Sequence, residues 1–418
     1  MNKQISSLSN RELLLRLYHL ALKQVKGEVC VNRALTDKCL NIEKIVLLAT
    51  GKAAPAMALG AWKSFGAKII RSLVITKNSH CEDLHHQTGM SCMETGHPIP
   101  DERSLQAGQA VIQFLCDMPK DATLLVLTSG GTSSLVDALP DGIELADLVR
   151  LNQWLIASGL DIKNINQIRQ SISLVKAGRL LSYIPVKKVM HLIISDVPDD
   201  DLSIIGSGML VKQNTIIPTI DRALPEWIIA MQATASALLG PEKNHNMNVE
   251  HEIVANNAMA CDAVVEAAMK LGHQAFIHQQ GLTGNVDDCA RDITLFLKQI
   301  AKPGVHIWGG ETTVTLPPCS GRGGRNQHLA LLIARELAGC KNITVLVAGT
   351  DGTDGVTGDA GAIVDGLTIA KGEFSGMDID IFLQKANAGE YLEETGDLIN
   401  TGVTGTNVMD LLIAIKNW

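Results

Sequence analysis

The segment Gly321-Arg322-Gly323-Gly324-Arg325-Asn326-Gln327 interleaves three glycines with two arginines. Glycine lets backbone N–H groups approach a ligand closely, and guanidinium forks match the oxygens of phosphate or carboxylate. Ser129-Gly130-Gly131-Thr132-Ser133 closes an apolar run and would expose N–H groups of the same kind. A helix starting just beyond it would add the favourable partial charge of its N-terminus. Both segments read as cradles for an anion, although an ordinary strand-to-helix turn and a solvated arginine loop have the same composition.

Single charges stand in comparable places. Lys52 follows an apolar run and precedes a helical segment, and Asp196 occupies the matching place after another run. Arg169 and Lys176 lie seven residues apart, which on a helix is two turns and one face. The segment Gly349-Thr350-Asp351-Gly352-Thr353-Asp354-Gly355 could hold a divalent cation through Asp351 and Asp354, but it lacks the spacing of an EF-hand and fits a tight turn equally well. Gly402-Val403-Thr404-Gly405-Thr406-Asn407 carries the same ambiguity. His80, Cys81, His85, His86, Cys92 and His97 match no compact zinc spacing and read as a polar loop. Neither a P-loop nor a G-x-G-x-x-G after the first strand is present.

The elements that must hold these groups repeat one grammar: short apolar run, glycine-containing turn, helical segment. Strands are expected at 44–49, 124–127, 190–194, 305–308 and 343–347. Ser9 and Glu12 have capping-box spacing ahead of a helix with Leu13, Leu17 and Leu20 on one face. The alternation predicts an α/β chain of mostly parallel sheets flanked by helices, with ligands beyond the carboxyl ends of the strands. The 418 residues allow two domains, expected at 1–240 and 241–418 with the boundary in the polar stretch Gly240 to Asn246. Apolar residues make up 46%, charged residues 19% and aromatics only 3%, so Leu, Ile, Val and Ala must build the cores.

A net charge of −8 without a basic block argues against nucleic acid as partner. No apolar run reaches membrane-spanning length, and Asn2 to Arg16 does not read as a signal peptide, so no membrane partner and a cytoplasmic location are expected. Nine cysteines without a C-x-x-C pair fit reduced thiols.

Taken in order, seven motifs resemble the glycerate 2-kinase family whose carboxy-terminal part is called the MOFRL domain, some members of which are labelled hydroxypyruvate reductases. They are Thr50-Gly51-Lys52-Ala53, Gly96-His97-Pro98-Ile99-Pro100-Asp101, Ser195-Asp196-Val197, Gly310-Glu311-Thr312-Thr313-Val314, Gly323-Gly324-Arg325-Asn326-Gln327, the Asp351-Gly352 cluster and Thr404-Gly405-Thr406-Asn407-Val408. The resemblance covers nearly the whole chain. It implies a Rossmann-like N-terminal domain, a C-terminal domain containing the MOFRL region, and an active site in the interdomain cleft. It further implies transfer of the ATP γ-phosphoryl group to the 2-hydroxyl of D-glycerate, with Mg²⁺ as companion ion and room for a homodimer. Lys52 and Arg325 match the family's two cations at the transferred group, and Arg169 its substrate-carboxylate arginine. Asp196 or Asp351 would hold Mg²⁺ or orient the attacking hydroxyl. His328 stands where the family usually carries Glu. A kinase of a related small hydroxy acid, an NAD(P)H-dependent hydroxypyruvate reductase and a phosphometabolite-binding protein are the competing readings.

Overall fold

Aliphatic strands buried along nearly their whole length form the centre of each sheet. The computed structural model describes residues 8–38, 42–160, 162–212, 224–238 and 247–418. Two compact units result, Gly27–Val254 and Met1–Lys26 with Ala255–Trp418.

The first unit is built on β1 (Ile45–Thr50), β2 (Ile69–Lys77), β3 (Cys92–Thr95), β4 (Thr123–Thr128), β5 (Lys188–Ile194) and β6 (Asn248–Ala255), in the spatial order β3-β2-β1-β4-β5-β6. The pairings β2–β3, β1–β2, β1–β4 and β4–β5 are all parallel. This order reverses direction between β1 and β4, which opens a crevice at their carboxyl ends. Register places Thr50 opposite Thr128, so the turns after β1 and β4 leave the sheet at one level. Val46, Leu48, Ile75, Leu124 and Val126 pack with Val111 and Leu115 of the helix Glu102–Cys116. A separate cluster, including Leu151, Leu155, Ile168 and Ile228, supports the helices Leu145–Ala157, Ile162–Ser171 and Glu226–Leu238.

The second unit contains β7 (Ala275–Ile277), β8 (Gly304–Gly310), β9 (Ile343–Gly349), β10 (Gly361–Asp365), β11 (Leu398–Ile399) and β12 (Asp410–Lys416), in the order β11-β10-β9-β12-β8-β7. Only β7–β8 is a parallel pair. The last strand, β12, runs antiparallel between β8 and β9, and β10 runs antiparallel to both β9 and β11. The α/β class with two domains holds, while this second sheet is mixed rather than mostly parallel. The helix Arg325–Glu336 buries Leu329, Leu332 and Ile333 against it.

Three expectations change. The boundary at residue 240 falls in 239–246, outside the described residues, and the first sheet continues past it into β6. The N-terminal helix Asn10–Val25 belongs to the second unit, where Tyr18 donates from its hydroxyl to Gly349 O at 2.6 Å. Its capping box forms as expected, but the buried stripe is Leu13, Leu14, Leu17, Tyr18, Ala21, Leu22 and Val25, with Leu20 exposed. Cys81 and Cys92 are joined as a disulfide, contrary to the expectation of reduced thiols throughout; their Cα atoms lie 6.0 Å apart, within bridging range. Among the described residues no helix is long and apolar enough to cross a membrane.

Tyr18→Phe should leave Gly349 O with only the longer bond from Gly352 N at 3.4 Å and destabilise the second unit by about 0.5–1.5 kcal/mol. The measurement is the urea midpoint of a probe in that unit; an unchanged midpoint would contradict the placement of the helix.

Candidate active site

In the first unit the corner at the β1/β4 switch point is packed backbone to backbone. Gly51 has φ +116, and a Cβ there would lie 2.3 Å from Ser129 Oγ and 2.4 Å from Ser129 O. Only glycine fits such a place. Lys52 N donates to Gly130 O at 2.9 Å, Ala53 N to Ser129 Oγ at 3.0 Å and Ser129 N to Thr50 O at 3.0 Å. Thr132 Oγ1 bridges Thr50 Oγ1 at 3.2 Å and Ser129 O at 2.8 Å. Ser133 Oγ meets Ser207 Oγ at 2.7 Å. The structure therefore brings Lys52 together with Ser129, Gly130, Gly131 and Thr132. The helix after this loop, Thr132–Leu135, is a single turn. It has too few aligned peptides for a strong dipole, so any anion held here would depend on individual backbone groups and Lys52.

Arg169 and Lys176 do not share a helix. The helix Ile162–Ser171 ends before Lys176, so the two-turn spacing does not apply. They nevertheless meet around a buried carboxylate that sequence reasoning missed. Lys176, 2% exposed, places Nζ 2.6 Å from Asp137 Oδ2, and Ser173 Oγ donates to Asp137 Oδ1 at 2.7 Å. Burial pulls the Lys176 ammonium below its ordinary range against the opposing attraction of Asp137. Arg169 is likewise pulled down by burial and feels the Asp137 charge, and its Nε is buried without a hydrogen-bond partner. Two cations thus share one carboxylate, and a third, Arg179, donates to Ser173 O at 2.8 Å. Lys176 is a partner of Asp137; Arg169 is the cation with donor capacity to spare. Asp196 follows β5 and is half-buried.

In the second unit the arginine of the glycine loop is held by carboxylates. Register sets Asp410, the first residue of β12, opposite both Gly310 and Gly349, at the carboxyl ends of β8 and β9. Arg325 Nε donates to Asp410 Oδ2 at 2.7 Å, Nη2 to Oδ1 at 3.1 Å, and Nη1 lies 2.6 Å from Glu311 Oε1. Burial opposes its charge, but Asp410 and Glu311 outweigh that and hold the guanidinium above its ordinary range. Neither Asp410 nor Glu311 was singled out from the sequence as a partner of Arg325. Arg322 turns away from any such centre, donating to Gly389 O at 3.2 Å and pairing with Glu393 at 2.5 Å.

The helix N-terminus behind Gly323 and Gly324 is already occupied. Asp354 Oδ1 accepts from Asn326 N at 3.1 Å and Oδ2 from Gln327 N at 2.7 Å. A Cβ on Gly324 would lie 2.3 Å from Asp354 Oδ1. The backbone donors expected to cradle phosphate are thus given to a carboxylate of the chain itself. Each Asp354 oxygen already serves a backbone donor, and in Asp351 the Oδ1 accepts from Thr353 N at 3.0 Å. Among the described residues no group of three or more His, Cys, Asp or Glu is placed to hold a metal. Asn326 Oδ1, Thr312 Oγ1 and Thr406 Oγ1 are buried without partners, a pattern that calls for a ligand or water. The turn at Thr350 is stitched to the Thr404–Asp410 segment through Thr404 Oγ1 to Thr350 O at 2.7 Å and Val408 N to Thr350 Oγ1 at 2.8 Å.

Burial pushes the Asp354 carboxyl from 3.8 up to about 7, against the pull of its two backbone donors. A raised acid favours the folded state in its protonated form, so its contribution is full below about pH 4 and is lost as pH rises through 7. Asp354→Asn should remove that dependence and flatten stability between those limits, measured as thermal midpoint against pH. Lys176→Met should cost about 3–5 kcal/mol by stranding Asp137, whereas Arg169→Met should leave the thermal midpoint near wild type.

Residues 13–239 match the family described as a domain of unknown function, DUF4147, and residues 304–410 match the MOFRL family. A D-glycerate 2-kinase of Thermotoga maritima is 33% identical, with 97% of this chain and 98% of the relative covered. A glycerate 2-kinase of Pyrococcus horikoshii is 34% identical over 89% of this chain and 87% of its own. The crystal structure of a glycerate kinase from Thermotoga maritima superposes with a TM-score of 0.83 at 32% identity, covering 97% of this chain and 99% of that one. The chain belongs to the glycerate 2-kinase family that carries the MOFRL domain.

Proposed function

We propose that this chain transfers the γ-phosphoryl group of ATP to the 2-hydroxyl of D-glycerate. The observation that carries the reading is the interlocked corner at the β1/β4 switch point, where Lys52 is fixed against Ser129 and Gly130 in a chain whose relatives are named for this activity. Phosphoryl transfer asks the protein mainly for position and for charge against the oxygens of the group in flight. Lys52 supplies a cation held by its own backbone. Arg169, with Nε unpartnered and positive charge in excess around Asp137, suits the carboxylate of a short hydroxy acid.

Arg325 serves differently from Lys52. Its charge is balanced by Asp410 and Glu311, so it contributes an oriented guanidinium. Among the described residues no group of three carboxylates forms a cage, so a Mg²⁺ ion would be held by Asp196 or Asp351 together with the phosphates of ATP. The strand order β3-β2-β1-β4-β5-β6 is also that of dinucleotide enzymes, which keeps reduction of hydroxypyruvate by NAD(P)H as a second reading. The turn Thr50-Gly51-Lys52 after β1 lacks the glycine fingerprint such enzymes use.

A screen of ATP against short hydroxy acids, with phosphorus NMR to locate the new ester, should give 2-phosphoglycerate from D-glycerate. Lys52→Ala should lower kcat by about 10²–10³-fold with the fold intact. Arg325→Ala should lose activity together with about 3 kcal/mol of stability, because Asp410 is left buried and unpaired. Oxidation of NADPH by hydroxypyruvate without any phosphoryl transfer would replace this reading with the reductase.

A further inference from the structure

In the sequence His97 is one member of a histidine–cysteine loop cluster and of the motif Gly96–Asp101. The fold fixes it at the β1/β4 corner. β3 ends at Thr95, whose Oγ1 donates to Leu135 O at 2.9 Å, which ties the strand end to the helical turn Thr132–Leu135. Asp101 then closes the loop from the far side. It accepts from Gly96 N at 3.2 Å and Ser104 N at 3.1 Å, while Arg103 holds its other oxygen at 2.6 Å. A Cβ on Gly96 would come within 2.7 Å of Ile99 O, so the loop is tight where it leaves the strand.

The loop held in this way delivers the imidazole to Gly131. A Cβ on Gly131 would meet His97 Cδ2, His97 Nε2 and Lys52 Cγ, each at 3.1 Å, and the glycine has φ +86. Segments following β1, β3 and β4 therefore converge on one glycine at the carboxyl edge of the parallel sheet. It is the Cδ2–Nε2 edge of the ring that lies on the loop, beside the stem of Lys52. Lys52 is the charged side chain placed against His97 from the β1 turn. Asp101 and Arg103 belong to the following loop and helix and are engaged with each other. The loop 129–133 contributes only Ser, Gly and Thr.

The geometry points to His97 as a catalytic residue of the proposed transfer, with Nε2 as acceptor of the proton on the attacking hydroxyl. This rests on the kinase reading. The O–H proton passes to Nε2 as the new O–P bond forms and the bond from the γ-phosphorus to the bridging oxygen breaks. ADP leaves with that electron pair, and the imidazolium later returns its proton to water. Lys52 balances the phosphoryl oxygens in the same corner, so acid–base and electrostatic roles fall to neighbouring side chains with different chemistry.

His97→Gln and His97→Ala are compared with wild type in steady-state transfer from ATP to D-glycerate, over a pH series that spans imidazole titration. Both variants should lower kcat by about 10²–10⁴-fold, with little change in KM for ATP and with the acidic limb of kcat/KM flattened. Thermal melts check that they fold. A His97→Gln enzyme with wild-type kcat, or with a raised KM and an unchanged acidic limb, overturns the assignment. A wild-type chain that phosphorylates no hydroxy acid defeats the kinase reading itself, and the base with it. Imidazole ¹⁵N spectra add a readout independent of turnover, with the His97 signal identified by its loss in His97→Gln. That signal should move on addition of inorganic phosphate or D-glycerate, and indifference to both would remove the ring from the site.

Discussion

The first unit depends on the contact between Gly51 and Ser129. Two parallel strands whose connections leave in opposite directions open a crevice, but a crevice alone positions nothing. Here the turn after β1 presses so closely on the turn after β4 that a methyl group cannot be inserted. The same approach lets Lys52 N reach Gly130 O and Ala53 N reach Ser129 Oγ. A lysine on a four-carbon stem is ordinarily a mobile charge, and fixing its backbone on both sides reduces what remains to be ordered when a ligand arrives.

Charge is organised in opposite senses in the two units. Around Asp137 the cations exceed the carboxylates, and Arg169 retains an unsatisfied donor. Around Arg325 the carboxylates exceed the cation, because Asp410 and Glu311 both grip it while Asp354 lies close enough to add to the field. A guanidinium held in two directions keeps one orientation, which favours recognition over simple neutralisation. The overall charge of −8 conceals this arrangement entirely.

The repeated grammar made β1, β4 and β5 legible as short apolar runs, whereas β2, β3 and β6, interrupted by Arg71, Glu94 and Glu250, gave no such signal. The second sheet was legible only in part. β12 reads as another apolar run, and nothing local reveals that it inserts backwards between β8 and β9, more than sixty residues after β9 begins. The site followed the same rule. Lys52 and Ser129 to Thr132 were visible because their chemistry sits beside their turns. The partners of Asp137 and Asp410 and the place of His97 were not, because each meets residues far away in sequence. Asp354 misled for a related reason: an Asp-Gly turn looks like a ligand loop until a distant helix N-terminus claims its carboxylate.

The placement of the helix Asn10–Val25 has a consequence for synthesis. It precedes all its partners in the sequence: the helix Asn257–Lys270 first, then β9 with Gly349, and β12 about 390 residues after it. At 5–20 residues per second the wait is on the order of 20–80 seconds. Until β12 is made, the stripe of Leu13, Leu14, Leu17, Tyr18 and Leu22 can meet only part of its native surface, chiefly the helix Asn257–Lys270. The second unit is thus assembled from segments on both sides of the first, and the helix Asn10–Val25 completes its packing only once β12 is in place.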